Sequence, residues 1–124
     1  MEETLRVEPP GPHIARYVAK DAVFHGQTVP EGSAILFIIA SANRDHRRYS
    51  DPDRFDLRRN IGAQLTFGLG PHYCLGAALA RLEGRVALEE ILKRFPSWDV
   101  DLSRAKLAST STVRGWETLP VQVG

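Results

Sequence analysis

The clearest hydrophobic pattern in the chain lies between residues 75 and 94, where apolar residues recur at spacings of three and four. The apolar positions are Leu75, Ala78, Leu79, Leu82, Val86, Ile91 and Leu92. Charged residues lie mostly elsewhere on the helical wheel, at Arg81, Arg85, Glu89 and Lys93. This pattern predicts an amphipathic helix over about residues 75–94 that ends near Phe95 and Pro96.

Shorter apolar runs in the first part of the chain predict strands. Residues 14–19 form one strand-like stretch. Residues 22–24 and 27–29 flank His25–Gly26, an arrangement typical of a short hairpin. The apolar run 34–40 is too short for its period to distinguish a strand from a helix.

The two ends of the chain differ in pattern. Residues 2–6 look like the final turns of a helix that Pro9 and Pro10 stop, since proline lacks the amide hydrogen and clashes with the preceding turn. A helix with so little lead-in indicates a cut through a larger fold. Residues 98–124 predict short strands, with turns around residues 109–112 and Gly115.

The middle of the chain is charged and irregular. Residues 43–60 contain six arginines and four aspartates, and we expect one short helix there at most. Glycines at 62, 68, 70 and 76 indicate a backbone that turns in ways other residues resist. The predicted fold class is mixed α/β, in a single unit that spans residues 1–124.

Composition narrows the possible functions. With 124 residues, 43% hydrophobic and 25% charged, the chain resembles an ordinary folded domain. Its net charge of +1 gives no electrostatic reason to bind nucleic acid. The apolar, uncharged stretch at residues 32–43 is too short for a membrane anchor, and the acidic start is unlike a signal peptide. A single cysteine excludes an intramolecular disulfide, so we expect a cytoplasmic protein.

That cysteine, Cys74, lies immediately before the long predicted helix, in the segment FGLGPHYCLG. The unpaired amides at a helix start favour a thiolate over a thiol. Gly68 and Gly70 allow sharp bends, and Gly76 removes a side chain near the sulfur, which suggests that something flat packs there. From chemistry alone three uses remain open: a metal ligand, a nucleophile helped by His72, or an inert buried cysteine.

The whole segment carries a family resemblance. The positions that match the haem-binding signature F-G-x-G-x-H-x-C-x-G are Phe67, Gly68, Gly70, His72, Cys74 and Gly76. Residues 3–6 are similar to an E-x-x-R element, and residues 52–55 are similar to a downstream P-[ED]-R-F element. The chain therefore resembles the C-terminal portion of a bacterial, soluble cytochrome P450, with a cysteine loop at 67–76 before the long helix.

The resemblance implies haem b as the cofactor and assigns roles to particular residues. Cys74 would be the axial ligand of the haem iron, and Phe67 would pack near its sulfur. His72 would contact a haem propionate, and Arg16 would contact another. The resemblance also implies a structural network of Glu3, Arg6 and Arg54 that holds the cysteine loop in place. The remaining histidines, His13, His25 and His46, are expected at surface or turn positions.

The resemblance implies a haem-thiolate monooxygenase that inserts one oxygen atom from dioxygen into a small lipophilic organic substrate. Ferredoxin and ferredoxin reductase would supply electrons, with Arg58, Arg59, Arg81 and Arg85 contributing to a basic docking face. The distal helix and most of the substrate pocket lie upstream in that family. The alternative is therefore a truncated, catalytically incompetent remnant that binds haem weakly or not at all.

Overall fold

The structure, a computed structural model, describes residues 1–110 and 112–124. Its α-helices in these residues are α1 (Glu2–Val7), α2 (Ile39–Ala42) and α3 (Ala77–Arg94), with a 3-10 turn at Gly70–His72. None of the helices in the described part of the chain is both long enough and apolar enough to cross a membrane.

Short antiparallel pairs of strands complete the fold. The strands are β1 (Ile14–Tyr17), β2 (Ala22–Phe24), β3 (Gln27–Val29), β4 (Ala34–Phe37), β5 (Trp98–Val100), β6 (Lys106–Leu107), β7 (Trp116–Thr118) and β8 (Val121–Val123). They pair as β1–β4, β2–β3, β5–β8 and β6–β7. The predicted mixed α/β class is confirmed.

The predicted hairpin at residues 22–29 is present. Phe24 lies opposite Gln27, and the two residues between them both have positive φ, 50° at His25 and 79° at Gly26. This is the turn geometry that matches the twist of a two-residue hairpin, which explains the glycine at its second position.

The structure makes the boundaries of three segments more definite than the sequence does. The apolar run 34–40 is divided, because β4 ends at Phe37 and α2 begins at Ile39. Residues 43–60, where at most one short helix was expected, form turns and bends, and α2 ends just before them at Ala42. The long helix begins at Ala77 rather than at residue 75. Part of the turn expected at 109–112 falls on Ser111, outside the described residues.

Buried side chains concentrate in the N-terminal part of the chain. The apolar ones are Pro9, Val18, Ile39, Tyr49 and Ala77, and the polar ones are Glu3, Arg6 and Asn43. Of these, Ala77 is the one that lies in α3. The accessible surface is 9627 Å². That is about 1.4 times the area expected for a folded monomer of 13.8 kDa. Much apolar surface that the pattern assigns to a core is therefore exposed.

Candidate functional site

The loop that carries Cys74 is closed by its own backbone. The Gly68 amide donates to the Leu65 carbonyl at 2.8 Å, the Tyr73 amide to Gly70 at 3.0 Å, and the Cys74 amide to Phe67 at 2.8 Å. Gly68 and Gly70 have φ of 76° and 70°, which residues with a Cβ rarely adopt. The sharp bends predicted at these two glycines are thus required by the backbone.

The cysteine itself lies exposed just ahead of α3. Its carbonyl accepts the Ala77 amide at 3.2 Å, which connects the loop to the first turn of the helix. The thiol is therefore close to the amide-rich end of an 18-residue helix.

Gly76 differs from the other loop glycines, because its φ of −82° suits any residue. A Cβ placed there would meet the Cys74 sulfur at 3.9 Å, an ordinary contact distance. The chain's own packing therefore gives no reason for glycine at this position. The missing side chain leaves space beside the sulfur, as a flat group bound there would need.

A groove of about 320 Å³ lies between the cysteine loop and the β1–β4 pair. Its lining is mostly apolar and comprises Ile14, Arg16, Phe37, Ile39, Leu65, Gly68, Leu69 and His72. Arg16 and His72, which are far apart in sequence, thus share one groove. Two nitrogen-bearing side chains in an apolar groove suit a ligand that combines a flat apolar body with carboxylates.

A buried ion pair holds the segments behind this loop together. Arg6 is fully buried and forks onto Glu3, with Nε at 2.7 Å from Oε2 and Nη2 at 2.8 Å from Oε1. Its Nη1 donates to the carbonyls of Asn43 and Pro52, both at 2.8 Å. The guanidinium also lies 5.0 Å from the centre of the Tyr49 ring. The donors of Arg6 are thus shared between Glu3 in α1 and carbonyl oxygens of the charged segment that follows α2.

Glu3 receives a second guanidinium, and that guanidinium belongs to Arg59. Arg59 Nε lies 3.1 Å from Glu3 Oε1, and the Asp56 amide donates to the same oxygen at 2.9 Å. The hydrogen bonds from Arg6, joined by those from Asp56 and Arg59, lower the pKa of Glu3 to about 2 despite its burial.

The role expected for the Arg54 side chain is corrected by this geometry. Arg54 is exposed and contributes its carbonyl oxygen, which accepts from Arg6 Nη2 at 3.3 Å and from Arg59 Nη2 at 3.1 Å. The physical reason is the path of the irregular segment, which turns the Arg54 backbone inward and carries Arg59 back to Glu3. The sequence also offers arginines at 58 and 59 as partners for Glu3, but their spacing alone cannot show which arginine reaches it.

Asn43 transmits the network to the cysteine loop, and the sequence pattern missed it. Its Oδ1 accepts the Leu65 amide at 2.8 Å, and its Nδ2 donates to Thr66 Oγ1 at 2.9 Å. Thr66 in turn donates to the Leu5 carbonyl at 2.7 Å. These bonds join α1 to the residues just before Phe67. A buried asparagine leaves no periodic signal in a sequence.

The side chain of Arg81 also contacts the cysteine loop. Arg81, on α3, lies 4.6 Å from the centre of the Phe67 ring and donates to the Tyr73 hydroxyl at 3.0 Å. It also pairs with Glu2, at 2.8 Å from Nε to Oε1. Of the four arginines expected on a docking face, Arg59 and Arg81 are thus engaged within the chain, whereas Arg58 and Arg85 are exposed. Within the described residues, no group of three or more metal-ligating side chains occurs.

Comparison with known proteins gives the site its context. The sequence model of the family described as Cytochrome P450 matches residues 1–119. The chain is 44% identical over 124 residues to a putative cytochrome P450 123 of Mycobacterium bovis, with 99% of this chain and 31% of that protein covered. It is 46% identical over 127 residues to the erythromycin C-12 hydroxylase of Saccharopolyspora erythraea, with 100% of this chain and 32% of that protein covered.

Solved structures agree with the sequence relatives. The crystal structure of P450BioI, in complex with an acyl carrier protein ligated to hexadec-9Z-enoic acid, superposes with a TM-score of 0.93 at 36% identity. The match covers 99% of this chain and 32% of that one. This chain thus spans about a third of the length of the relatives it matches. From the family match, these relatives and the shared fold, the chain belongs to the cytochrome P450 family.

Proposed function

We propose that this chain supplies the cysteine side of a haem b site in a monooxygenase. The observation that carries the proposal is the exposed Cys74 on a glycine-bent loop, next to a groove that Arg16 and His72 share. The fit of this cradle to a porphyrin rests on the space beside the sulfur at Gly76 and on the apolar groove lining.

Each residue then has a definite part. Cys74 would bind the iron as a thiolate. Arg16 and His72 would bind the propionates and so fix the orientation of the ring. Phe67 would pack beside the sulfur and exclude water, which is one means by which a protein tunes a metal's potential. In this family the chemistry that bound haem supplies is insertion of one oxygen atom from dioxygen into an organic molecule.

Substrate and partners are proposed at the level of chemical class. The names of the relatives refer to hydroxylation of erythromycin at C-12 and to hexadec-9Z-enoic acid ligated to an acyl carrier protein, so we propose a lipophilic organic substrate and nothing finer. We propose ferredoxin and its reductase as electron donors in the cytoplasm. The exposed guanidiniums of Arg58 and Arg85 would attract an acidic donor, because opposite charges speed encounter.

A second candidate function, a remnant that holds haem weakly without catalysis, is favoured by the exposed apolar surface. Leu79 and Leu82 on α3 are exposed, so the helix that should support the cysteine loop lacks cover within the described residues. Orientation of substrate over iron provides much of an enzyme's rate advantage, and the residues that would orient it are upstream in the family.

A carbon monoxide difference spectrum of the reduced, haem-reconstituted chain tests the proposal. We expect the far-shifted Soret band of thiolate ligation in the native chain. In Cys74→Ser we expect its complete loss, because a serine hydroxyl stays protonated and binds iron poorly. Arg85→Gln, a substitution at an exposed position of α3, is the control and should keep the band when the haem is reduced chemically. An imidazole-like spectrum or no haem uptake in the native chain would refute the proposal.

A further inference from the structure

Arg81 connects three separate parts of the chain. From α3 it donates through Nε to Glu2 Oε1 at 2.8 Å and through Nη2 to Glu2 Oε2 at 3.3 Å, which ties it to α1. Its Nη1 donates to the Tyr73 hydroxyl at 3.0 Å. The face of the guanidinium lies against the Phe67 ring, 4.6 Å from the ring centre. A planar cation with a forked set of donors can make all these contacts at once, whereas an ammonium cannot.

The two loop residues that Arg81 contacts are those that flank Cys74 in space. Tyr73 precedes Cys74 in the chain, and the Phe67 carbonyl accepts the Cys74 amide at 2.8 Å. Tyr73 and Cys74 are exposed, and the loop around them consists mainly of turns with glycines at 68, 70 and 76. The loop is closed by a few backbone hydrogen bonds. An attachment on both sides of Cys74 therefore restricts the position of the loop strongly.

Glu2 keeps the guanidinium in place. The Glu2 carboxylate also accepts from Gln64 Nε2 at 2.8 Å, so it is held from two sides. Hydrogen bonding to Glu2 raises the pKa of Arg81 above its ordinary value. The pKa of Glu2 is lowered, because hydrogen bonds from Arg81 and Gln64 outweigh its partial burial. Both pKa shifts favour the charged forms of the two groups.

We propose that Arg81 is a positioning residue for Cys74, acting through Phe67 and Tyr73 rather than as a free cation on a docking face. Arg85, one turn further along α3, provides the contrast, because it is exposed and carries the same charge. The expected consequence for ligation rests on the proposed haem site, whereas the expected consequence for the loop does not.

The first experiment measures hydrogen exchange of the Cys74 amide in the haem-free chain. We expect Arg81→Gln to speed exchange at Cys74 by about tenfold, because loss of the attachment lets the bond to Phe67 open more often. Arg81→Lys keeps the positive charge but has no planar guanidinium to stack on Phe67 and to donate to Glu2 and Tyr73 together. It should therefore restore only part of the protection of the Cys74 amide from exchange. Arg85→Gln is the matched control and should leave exchange at Cys74 within about twofold of native.

Two results would overturn the proposal: unchanged exchange at Cys74 in Arg81→Gln, or an equal increase in Arg85→Gln. Tyr73→Phe keeps the Arg81–Glu2 pair and removes one hydroxyl, so it serves if Arg81→Gln does not fold. It should speed exchange at Cys74 by a smaller factor, and an unchanged rate in that variant would also count against the proposal.

The second experiment compares ligation in chains that hold equal amounts of haem. Arg81→Gln should show a smaller fraction of the thiolate-type carbon monoxide band per haem than the native chain, and Arg85→Gln should match the native chain. An equal thiolate fraction in all three would overturn the role in ligation. If the native chain takes up no haem, the proposed function fails, and the exchange experiment alone decides the role of Arg81 in the loop.

Discussion

The segment from α1 to residue 66 and the segment from α3 to the C-terminus are stabilised in different ways. In the first, buried Arg6, Glu3 and Asn43 join α1, α2 and the charged irregular loop. In the second, the apolar residues of α3 and of the terminal strands are largely exposed, among them Leu92, Trp98 and Val121. Polar bonds within the chain thus organise one region, whereas the other presents an apolar face that the described residues leave uncovered.

This difference follows from the two kinds of interaction. A hydrogen-bonded ion pair needs only its direct partners, and all of those partners are within the chain. An apolar face is stabilised in proportion to the area that something else removes from water. The cysteine loop lies between the two regions, attached to the first through Asn43 and Thr66 and to the second through Arg81.

The largest effect should come from breaking the polar region at its centre. Arg6→Ala leaves the Glu3 carboxylate buried with fewer donors, and we expect a loss of about 3–5 kcal/mol in the free energy of unfolding. Chemical denaturation followed by circular dichroism measures it. The control is Arg94→Ala, since Arg94 is exposed in the last turn of α3. A loss under about 1 kcal/mol in Arg6→Ala would show that the network does not support the fold.

Lowering the pH should weaken the same region. The pKa of Glu3 is about 2 in the folded chain, against 4.5 for a free carboxyl. The folded state binds the proton less readily, so its extra stability is fully present above pH 4.5 and is lost as pH falls towards 2. The loss should be about 3 kcal/mol. Denaturation measured across this range should give a steeper pH dependence for the native chain than for Glu3→Gln, and equal slopes would contradict the assignment.

One residue type occurs in both regions and allows a direct test of the comparison. Ile39 in α2 is 6% exposed, whereas Ile91 in α3 is 44% exposed. We expect Ile39→Ala to cost about 2–3 kcal/mol, since it leaves a cavity in the small core. Ile91→Ala should change stability by at most about 0.5 kcal/mol. Equal losses in the two variants, measured by denaturation, would show that α3 is covered in solution, for instance by a second copy.

Local patterns in the sequence predicted local structure well. The spacing of Glu3 and Arg6 places them on one helix face, and their pair forms as expected. The glycines at 68 and 70 were expected to turn the backbone, and both have positive φ. The period of α3 predicted the helix, but not what its apolar residues pack against, because period carries no information about distant partners.

The contacts between distant parts of the site depend on the path by which the irregular segments come back to α1 and to the cysteine loop. Asn43 and Arg81 gave no sequence signal for their contacts with the cysteine loop, since those contacts require the chain path from residue 43 to 66 and the position of α1 beside α3. The partner of Glu3 is the clearest instance. A short motif predicted that Arg54 contacts Glu3, whereas the turns between residues 51 and 59 place the guanidinium of Arg59 against it.

Arg54 and Arg59 therefore provide the smallest and most specific test. Arg59→Ala removes a charge-assisted bond to Glu3 and donors to the Ser50, Asp51 and Arg54 carbonyls, and we expect a loss of about 1–2 kcal/mol. Arg54→Ala keeps the carbonyl that Arg6 uses, so its cost should stay within about 0.5 kcal/mol. The double variant Glu3→Gln with Arg59→Ala should lose less than the sum of the single losses, because the two groups share one interaction. If Arg54→Ala loses more stability than Arg59→Ala, the arginine side chain that joins Glu3 and Arg6 is that of Arg54. The motif at residues 52–55 would then predict the partner of Glu3 better than the path of the loop does.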